Sequence, residues 1–197
     1  NGAYSNPDSP FRSWYRFSRY PYEYESWWGI EILPRLNHEN RSCRSYFTAP
    51  NGIAAKWLLK GADGWRLDVA DELSDDFIKS CKARLSDKSE SVLYGEVWED
   101  ASNKIAYGRR KTYYLGDELD GVMNYPLRKG IIDYFRYGDC SALYYALCEV
   151  MPNCPKRVLD AQMNLLGTHD TMRILTALAA PAPDGRQNDE LAVWRMD

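Results

Sequence analysis

Three carboxylates in this 197-residue sequence each follow a short apolar run that is typical of a β-strand. Asp68 follows GWRL, Glu96 follows LYG and Asp170 follows LLGTH. A charged group at the end of an apolar strand is costly unless it is paired or has a task. Cleavage of a glycosidic bond needs such a set, because one carboxyl group protonates the leaving oxygen while another attacks the sugar or activates water.

Each carboxylate also has a simpler interpretation when it is taken alone. Asp68 would pair with Arg66 on the same strand face, Glu96 would be solvated, and Asp170 would cap the following helix. The occurrence of all three carboxylates at the ends of predicted strands favours a catalytic role. Arg66 would then keep Asp68 ionised, as a nucleophile requires, whereas burial and nearby negative charge would keep Glu96 protonated, as an acid requires. A third carboxylate can hold substrate hydroxyls and favour the positively charged transition state.

The elements that must position these residues alternate between strand and helix. The predicted strands lie at 64–69, 91–98, 120–124 and 164–170. The predicted helices lie at 51–60 with Asn51 as cap, at 74–85 with Ser74 as cap, from Pro126 onward, at 140–150, at 156–163 and from within 191–197. This alternation predicts an α/β fold with a parallel sheet, either doubly wound or a barrel, whose strands end at one edge. Residues 1–50 are expected to form loops with short strands.

Composition indicates a globular protein whose partner is a small neutral molecule. The chain is 45% hydrophobic, and 25 basic residues stand against 28 acidic ones. That balance gives no attraction to nucleic acid or to a membrane surface, and no apolar run approaches the length of a membrane span. Aromatic residues make up 14% of the chain and suit the apolar faces of sugar rings, although core packing accounts for most aromatic residues in any protein.

The five cysteines predict free thiols. Their number is odd and no CxxC pair occurs, so a complete disulfide framework is not expected. We expect reduced and mostly buried thiols, which favour the cytoplasm as the compartment.

GWRLDVADE at 64–72 resembles the nucleophile strand of the α-amylase family of glycoside hydrolases. YGEVW at 94–98 is similar to the family's acid/base segment, and LLGTHDT at 165–171 to the segment with its transition-state-stabilising aspartate. LPRLN at 33–37 and VMNYPL at 122–127 resemble segments of neopullulanases and cyclomaltodextrinases. The order and spacing of these motifs make the resemblance specific over nearly the whole chain.

The resemblance implies roles for individual residues. Asp68 would be the nucleophile, Glu96 the general acid/base and Asp170 the transition-state stabiliser. The residues implied in substrate binding are Arg66, His169, Trp98 and Asn124; Trp27 and Trp28 would stack on sugars or fill the core. The implied substrate is an α-1,4-linked glucan, a maltooligosaccharide or a cyclodextrin, with α-1,6 bonds as in pullulan a further option.

The resemblance also implies an incomplete (β/α)8 barrel. The four predicted strands correspond to strands four to seven of the family's barrel, and strands one to three and eight have no counterpart. Residues 1–45 would end the loop domain inserted after strand three, and 46–197 would form the partial barrel. A chain of this kind is expected to be inactive alone and prone to association, including as a homo-oligomer.

Three other functions compete with hydrolysis of glucans. A transglycosylase would use the same carboxylates but pass the sugar to another sugar. A non-catalytic glycan-binding relative would be expected to lack one of the carboxylates. A metal-dependent hydrolase is disfavoured because only His38 and His169 occur and no HExxH motif is present. No cofactor is predicted, and the acidic residues before residue 50 are too few to predict the calcium site that some relatives carry.

Overall fold

The computed structural model describes residues 2–86 and 90–179, so the helix predicted to begin within 191–197 lies outside these residues. The strands are β1 (Phe17–Arg19), β2 (Glu23–Tyr24), β3 (Gly64–Leu67), β4 (Val92–Gly95), β5 (Ile105–Ala106), β6 (Arg109–Arg110) and β7 (Gly121–Val122). The α-helices are α1 (Arg41–Thr48), α2 (Ile53–Leu59), α3 (Asp75–Leu85), α4 (Tyr125–Tyr137), α5 (Ser141–Tyr145), α6 (Lys156–Asp160) and α7 (Ile174–Leu178). A π-helical turn, Ala146–Val150, continues α5.

The central sheet is parallel, in the order β3–β4–β7, as the alternation of strands and helices predicts. Gly64 pairs with Val92 in the β3–β4 ladder, and a Cβ atom on Gly64 would lie 2.0 Å from the Val92 carbonyl oxygen. The close approach of these strands therefore requires glycine at position 64.

The prediction of a strand at 164–170 is wrong. Among the described residues, this edge of the sheet holds a single parallel bridge between Met123 and Met163. The neighbouring strand β7 is two residues long and offers no longer ladder. The chain then turns, and the Thr168 amide donates to the Thr171 hydroxyl at 2.8 Å and not to a strand.

The helices that follow the strands agree with the predicted pattern, with small shifts at their ends. The Ser74 hydroxyl caps α3 by accepting from the Phe77 amide, and the apolar stripe of α3 is buried. Gly52, not Asn51, occupies the cap position of α2. Helix α4 begins one residue before Pro126, and the Asn124 side chain caps it.

The first 50 residues combine loops with one hairpin, β1–β2, and one helix. The prediction of loops with short strands holds as far as Asn40 and is wrong for α1. The Asn40 side chain accepts hydrogen bonds from the amides of Ser42 and Cys43, which starts the helix. The proposed division between 1–45 and 46–197 falls inside α1 and stays a prediction.

The main core lies between the sheet and α3. Its fully buried members include Ile78 and Leu85 of α3, Leu93 of β4, and Tyr113. Further members come from the segments that follow β3 and β4, from the segment before β7 and from α6, namely Ala70, Val97, Ala101, Leu119 and Val158. The core thus holds the carboxyl ends of β3 and β4 in fixed relation.

All five thiols are free, in agreement with the sequence. Cys43 and Cys81 are buried, and burial raises the pKa of Cys81 to about 12. Cys140 and Cys148 are exposed near α5, so the expectation of mostly buried thiols is wrong for these two. No helix in residues 2–86 and 90–179 is long and apolar enough to span a bilayer.

Candidate active site

Two of the three carboxylates predicted at strand ends directly follow neighbouring strands. Asp68 directly follows β3 and Glu96 directly follows β4. The Glu96 amide donates to the Leu67 carbonyl at 2.9 Å, and the Glu96 carbonyl accepts from the Ala70 amide at 3.1 Å. The backbone on both sides of Asp68 is therefore tied to Glu96.

Arg66 joins the three carboxylates. Its Nη1 atom pairs with Asp68, while its Nη2 atom lies 3.0 Å from Glu96 Oε1 and 4.0 Å from Asp170 Oδ2. On its other side, Arg66 Nε lies 3.4 Å from the sulfur of Met123. The sequence predicted that Arg66 pairs with Asp68 and also placed it among the substrate-binding residues, whereas the structure places it close to all three acids.

Glu96 and Asp68 occupy contrasting environments. The Glu96 side chain is only 4% exposed, so the simpler interpretation of a solvated Glu96 is wrong. Its Oε2 atom accepts from the Val69 amide at 2.8 Å. The Asp68 side chain is 71% exposed. A buried carboxyl group and an accessible one thus stand side by side.

Val69 takes an unusual backbone conformation to make this contact. Its φ of 41° lies in the left-handed region, which β-branched residues rarely adopt. Such strain persists only where surrounding contacts hold it, and it is concentrated at functional sites. Here it turns the Val69 amide toward Glu96.

Asp170 lies in the turn that replaces the predicted strand. His169 Nε2 is 3.1 Å from Asp170 Oδ2, and both side chains are accessible. Helix α7 begins at Ile174 with Arg173 at its cap position, so Asp170 does not cap it. The simpler interpretation of Asp170 is therefore wrong as well.

The remaining residues proposed for substrate binding differ in their accessibility. Trp98 is partly exposed and lines the pocket beside Glu96, and its ring stacks on Tyr125. Asn124 is buried; its oxygen caps α4 and its Nδ2 donates to Asn164 at 3.0 Å. A contact between Asn124 and substrate stays a prediction.

A pocket of about 710 Å³ opens in front of the three carboxylates. Its aromatic lining residues are Trp27, Trp28, Trp98 and Tyr107. The rings of Trp27 and Trp28 are stacked with 4.9 Å between centroids, and Trp28 is 76% exposed. Trp28 is therefore a pocket residue and not a core residue.

Sequence reasoning missed Glu72 as an organising residue of this pocket. Its Oε1 atom accepts from Trp28 Nε1 at 3.1 Å and from the Tyr107 hydroxyl, and its Oε2 atom lies 3.8 Å from Arg35. The position of Glu72 four residues after Asp68 is a local signal that it faces the same site. Tyr107 carries no such signal, since it comes from the distant β5–β6 hairpin.

Other acidic and histidine side chains are engaged within the protein. His38 Nε2 accepts from the Ser74 amide at 3.0 Å, and burial, with Arg35 nearby, lowers the pKa of His38. Glu25 and Glu39 both pair with Arg16. Within residues 2–86 and 90–179, no three His, Cys, Asp or Glu side chains are grouped as metal ligands would be.

Comparison with known families agrees with this geometry. The family model described as alpha amylase, catalytic domain, matches residues 6–195. The chain belongs to this family.

Named relatives cover nearly the whole chain. An amylopullulanase from Thermoanaerobacter thermohydrosulfuricus is 34% identical over 93% of this chain, and a cyclomaltodextrinase from Geobacillus thermopakistaniensis is 32% identical over 89%. These matches span only 14% and 29% of the respective relatives. The chain thus corresponds to less than a third of either protein.

Solved structures support the same fold. A cyclic α-maltosyl-(1→6)-maltose hydrolase from Arthrobacter globiformis matches with a TM-score of 0.77 and 28% identity, over 89% of this chain and 39% of that one. A debranching enzyme from Nostoc punctiforme matches with a TM-score of 0.76 and 28% identity, over 89% of this chain and 40% of that one. The predicted fold class is confirmed: the described residues form part of a (β/α)8 barrel, with three of its strands and no closed sheet.

Proposed function

We propose that this chain carries the catalytic carboxylates of a retaining glycoside hydrolase that acts on starch-derived α-glucans. The observation that supports this most directly is the shared contact of Arg66 with Asp68, Glu96 and Asp170 at the mouth of an aromatic pocket. Carboxylates on adjacent nitrogens of one guanidinium are close to each other. Retaining enzymes need two carboxyl groups only about 5–5.5 Å apart.

In the first step, Asp68 attacks the anomeric carbon while Glu96 gives a proton to the glycosidic oxygen. The bond from the anomeric carbon to that oxygen breaks, and a covalent glycosyl–Asp68 ester forms. Water then attacks the same carbon, Glu96 takes the water proton, and Asp68 is released. Asp68 suits the nucleophile because it is accessible and held by Arg66. Glu96 suits the proton donor because it is buried, and the Val69 amide orients its Oε2 atom.

The proposed substrate is an α-1,4-linked glucan, such as a maltooligosaccharide or a cyclodextrin, and α-1,6 bonds are included in the range to be tested. The names of the relatives point to such glucans, and exposed indole rings suit the apolar faces of glucose units. His169 is accessible beside Asp170 and is proposed to bind a sugar hydroxyl.

We also propose that the activity requires more of the protein than these 197 residues. The named relatives are several times longer, and the sheet described here is open. In this proposal, residues 1–45 form the end of the inserted loop domain, and residues 46–197 form part of the barrel. The isolated chain is then expected to be inactive.

The test compares the full-length protein with its Asp68→Asn and Glu96→Gln variants on maltotriose, β-cyclodextrin and pullulan. We expect the α-anomer as first product by proton NMR, and losses in kcat on the order of 10²- to 10⁴-fold or more for each variant. Asp160→Asn, on the exposed surface of α6, is the matched control and should keep full activity.

Two results would contradict the assignment: the β-anomer as first product, or an active Asp68→Asn variant. Turnover by the isolated 197-residue chain would contradict the proposal that the activity requires a longer protein. Products longer than maltotriose would instead identify a transglycosylase. Binding of glucans without turnover by the wild-type protein would identify a glycan-binding relative.

A further inference from the structure

Tyr125, the first residue of α4, lies beneath the aromatic side of the candidate active site. It is 4% exposed, and its ring stacks on that of Trp98 with 4.0 Å between centroids and 9° between planes. Because Tyr125 covers one face of Trp98, the partly exposed indole has its other face available to the pocket. The orientation of this indole is therefore set by Tyr125.

Tyr125 is fixed from several directions. The Asn124 side chain caps α4 immediately before it, and the Met123 backbone is bonded to Gly95, the residue before Glu96. Tyr125 thus connects the loop that carries Trp98 to the start of α4.

The hydroxyl group of Tyr125 is buried. Thr168 is its polar neighbour. Burial raises the pKa of Tyr125, and the charges of Glu96 and Asp170 raise it further. The ring is therefore shielded from solvent and packs on Trp98, as the ring of a supporting residue would.

The position of Trp98 indicates which sugar it meets. Trp98 comes two residues after Glu96, the proposed proton donor, and both line the same pocket. A proton donor must reach the oxygen of the leaving sugar. An aromatic face beside that donor is placed to bind the leaving sugar or, in the reverse direction, an acceptor sugar.

We propose that Tyr125 is a positioning residue that holds the Trp98 ring as a platform for the leaving-group sugar. This inference rests on the proposed function. The ring of Tyr125, and not its hydroxyl group, carries the effect. Loss of the ring lets the indole rotate and weakens binding of the leaving glucose unit, while attack by Asp68 is untouched.

The experiment uses Tyr125→Phe and Tyr125→Leu in the full-length protein with two substrates. Maltotriose has a sugar leaving group, whereas α-maltosyl fluoride leaves a fluoride ion that needs no platform. We expect Tyr125→Leu to lower kcat/KM for maltotriose by roughly tenfold and to leave α-maltosyl fluoride within about twofold of wild type. Tyr125→Phe keeps the stack and should resemble wild type on both substrates.

Activity on α-maltosyl fluoride also shows that the variant is folded. If Tyr125→Leu does not fold, Trp98→Leu removes the platform itself and should give the same selective loss. Calorimetric binding of maltotriose in an Asp68→Asn background supplies a readout without turnover, in which Tyr125→Leu should raise Kd several-fold.

Equal losses on both substrates would overturn the inference, because a purely structural role affects every substrate. A Tyr125→Phe variant as impaired as Tyr125→Leu would also overturn it. A wild-type protein that cleaves neither substrate would refute the proposed function itself, and the two failures are therefore distinguishable.

Discussion

Glu118 is a fully buried carboxyl group that the proposed reaction does not use. Its Oε1 atom accepts from the Thr112 hydroxyl at 2.7 Å, and its Oε2 atom has no hydrogen-bond partner within the described part of the chain. Burial raises the pKa of Glu118, Asp75 and Asp117 add to the rise, and the Thr112 hydrogen bond and Lys79 oppose it. The folded protein therefore holds the Glu118 proton more tightly than the unfolded chain does.

This difference predicts a pH-dependent effect of Glu118→Gln. Below the pKa of the unfolded chain, Glu118 is protonated in both states and the substitution should change the melting temperature little. As the pH rises above that range, the unfolded chain releases the Glu118 proton while the folded protein still holds it. The unfolded state is thereby favoured, and the wild type loses stability. Glu118→Gln should therefore melt at a higher temperature than wild type at pH 8, as measured by calorimetry from pH 3 to pH 8.

The adjacent Asp117 provides a control of opposite sign. It is exposed and pairs with Lys79 at 2.8 Å, and that hydrogen bond lowers the pKa of Asp117. Its contribution is present above the pKa of the unfolded chain and is lost on acidification. Asp117→Asn should destabilise slightly at pH 8 and not at pH 3. A stabilising Asp117→Asn, or a pH-independent Glu118→Gln, would contradict this account.

At the scale of residues, the sequence predicts those features of the site that depend on residues close together in the chain. The strand-end positions of Asp68 and Glu96 were predictable because parallel strands end at one edge. Asp170 joins them from a turn and not from the strand that was predicted before it. The sharing of Arg66 and the burial of Glu118 were not, since both depend on distances between segments far apart in sequence. Tyr107 was missed for the same reason.

Two strained loop residues form the aromatic rim of the pocket. Trp28 and Tyr107 have φ values of 50° and 53°, and both donate to Glu72. Neither position is glycine, so each conformation has an energetic cost that must be offset by contacts. Glu72, ion-paired with Arg35, supplies contacts to both.

Removal of the Glu72 carboxylate should make Trp28 and Tyr107, which form the aromatic rim, more mobile. We expect Glu72→Ala to raise KM for maltooligosaccharides roughly tenfold, because two hydrogen bonds to a charged acceptor are lost, while kcat changes little. Hydrogen exchange should accelerate in the segments around Trp28 and Tyr107 alone. Glu149→Ala, on the exposed π-helical turn, is the control. Unchanged exchange in both segments would refute a role for Glu72 in holding the rim.

At the scale of elements, capping and periodicity predicted α3 and α4 well, and the errors have physical causes. An apolar run at 164–170 lacked a neighbouring strand long enough to pair with. Helix α1 was not predicted because its segment is rich in polar residues, and the Asn40 cap was the available signal. Pairing partners and tertiary packing decided both cases.

At the scale of the whole molecule, the described residues present an open sheet edge and exposed apolar side chains. In the described residues, β3 has a strand neighbour on one side only. Helices α4 and α5 expose several large side chains, namely Tyr134, Phe135, Tyr137, Tyr144 and Tyr145. Open strand edges and exposed apolar faces favour association.

The isolated 197-residue chain should therefore associate in solution. We expect light scattering to give an apparent mass that grows with protein concentration, and a fluorescent hydrophobic dye to bind. A Phe135→Lys and Tyr137→Lys double variant should reduce both signals. A monodisperse monomer that binds no dye would show that the chain covers these faces by itself.

The sharing of Arg66 by three acids has a consequence for any attempt to divide the catalytic effect among them. Removal of one carboxylate leaves the guanidinium to move toward the other two, so each substitution also alters the groups that remain. Double-mutant cycles among Asp68, Glu96 and Asp170 should yield large interaction energies. If the proposed mechanism holds, the three carboxylates are expected to act as one thermodynamic unit, so that the sum of the single losses exceeds the loss on removing all three.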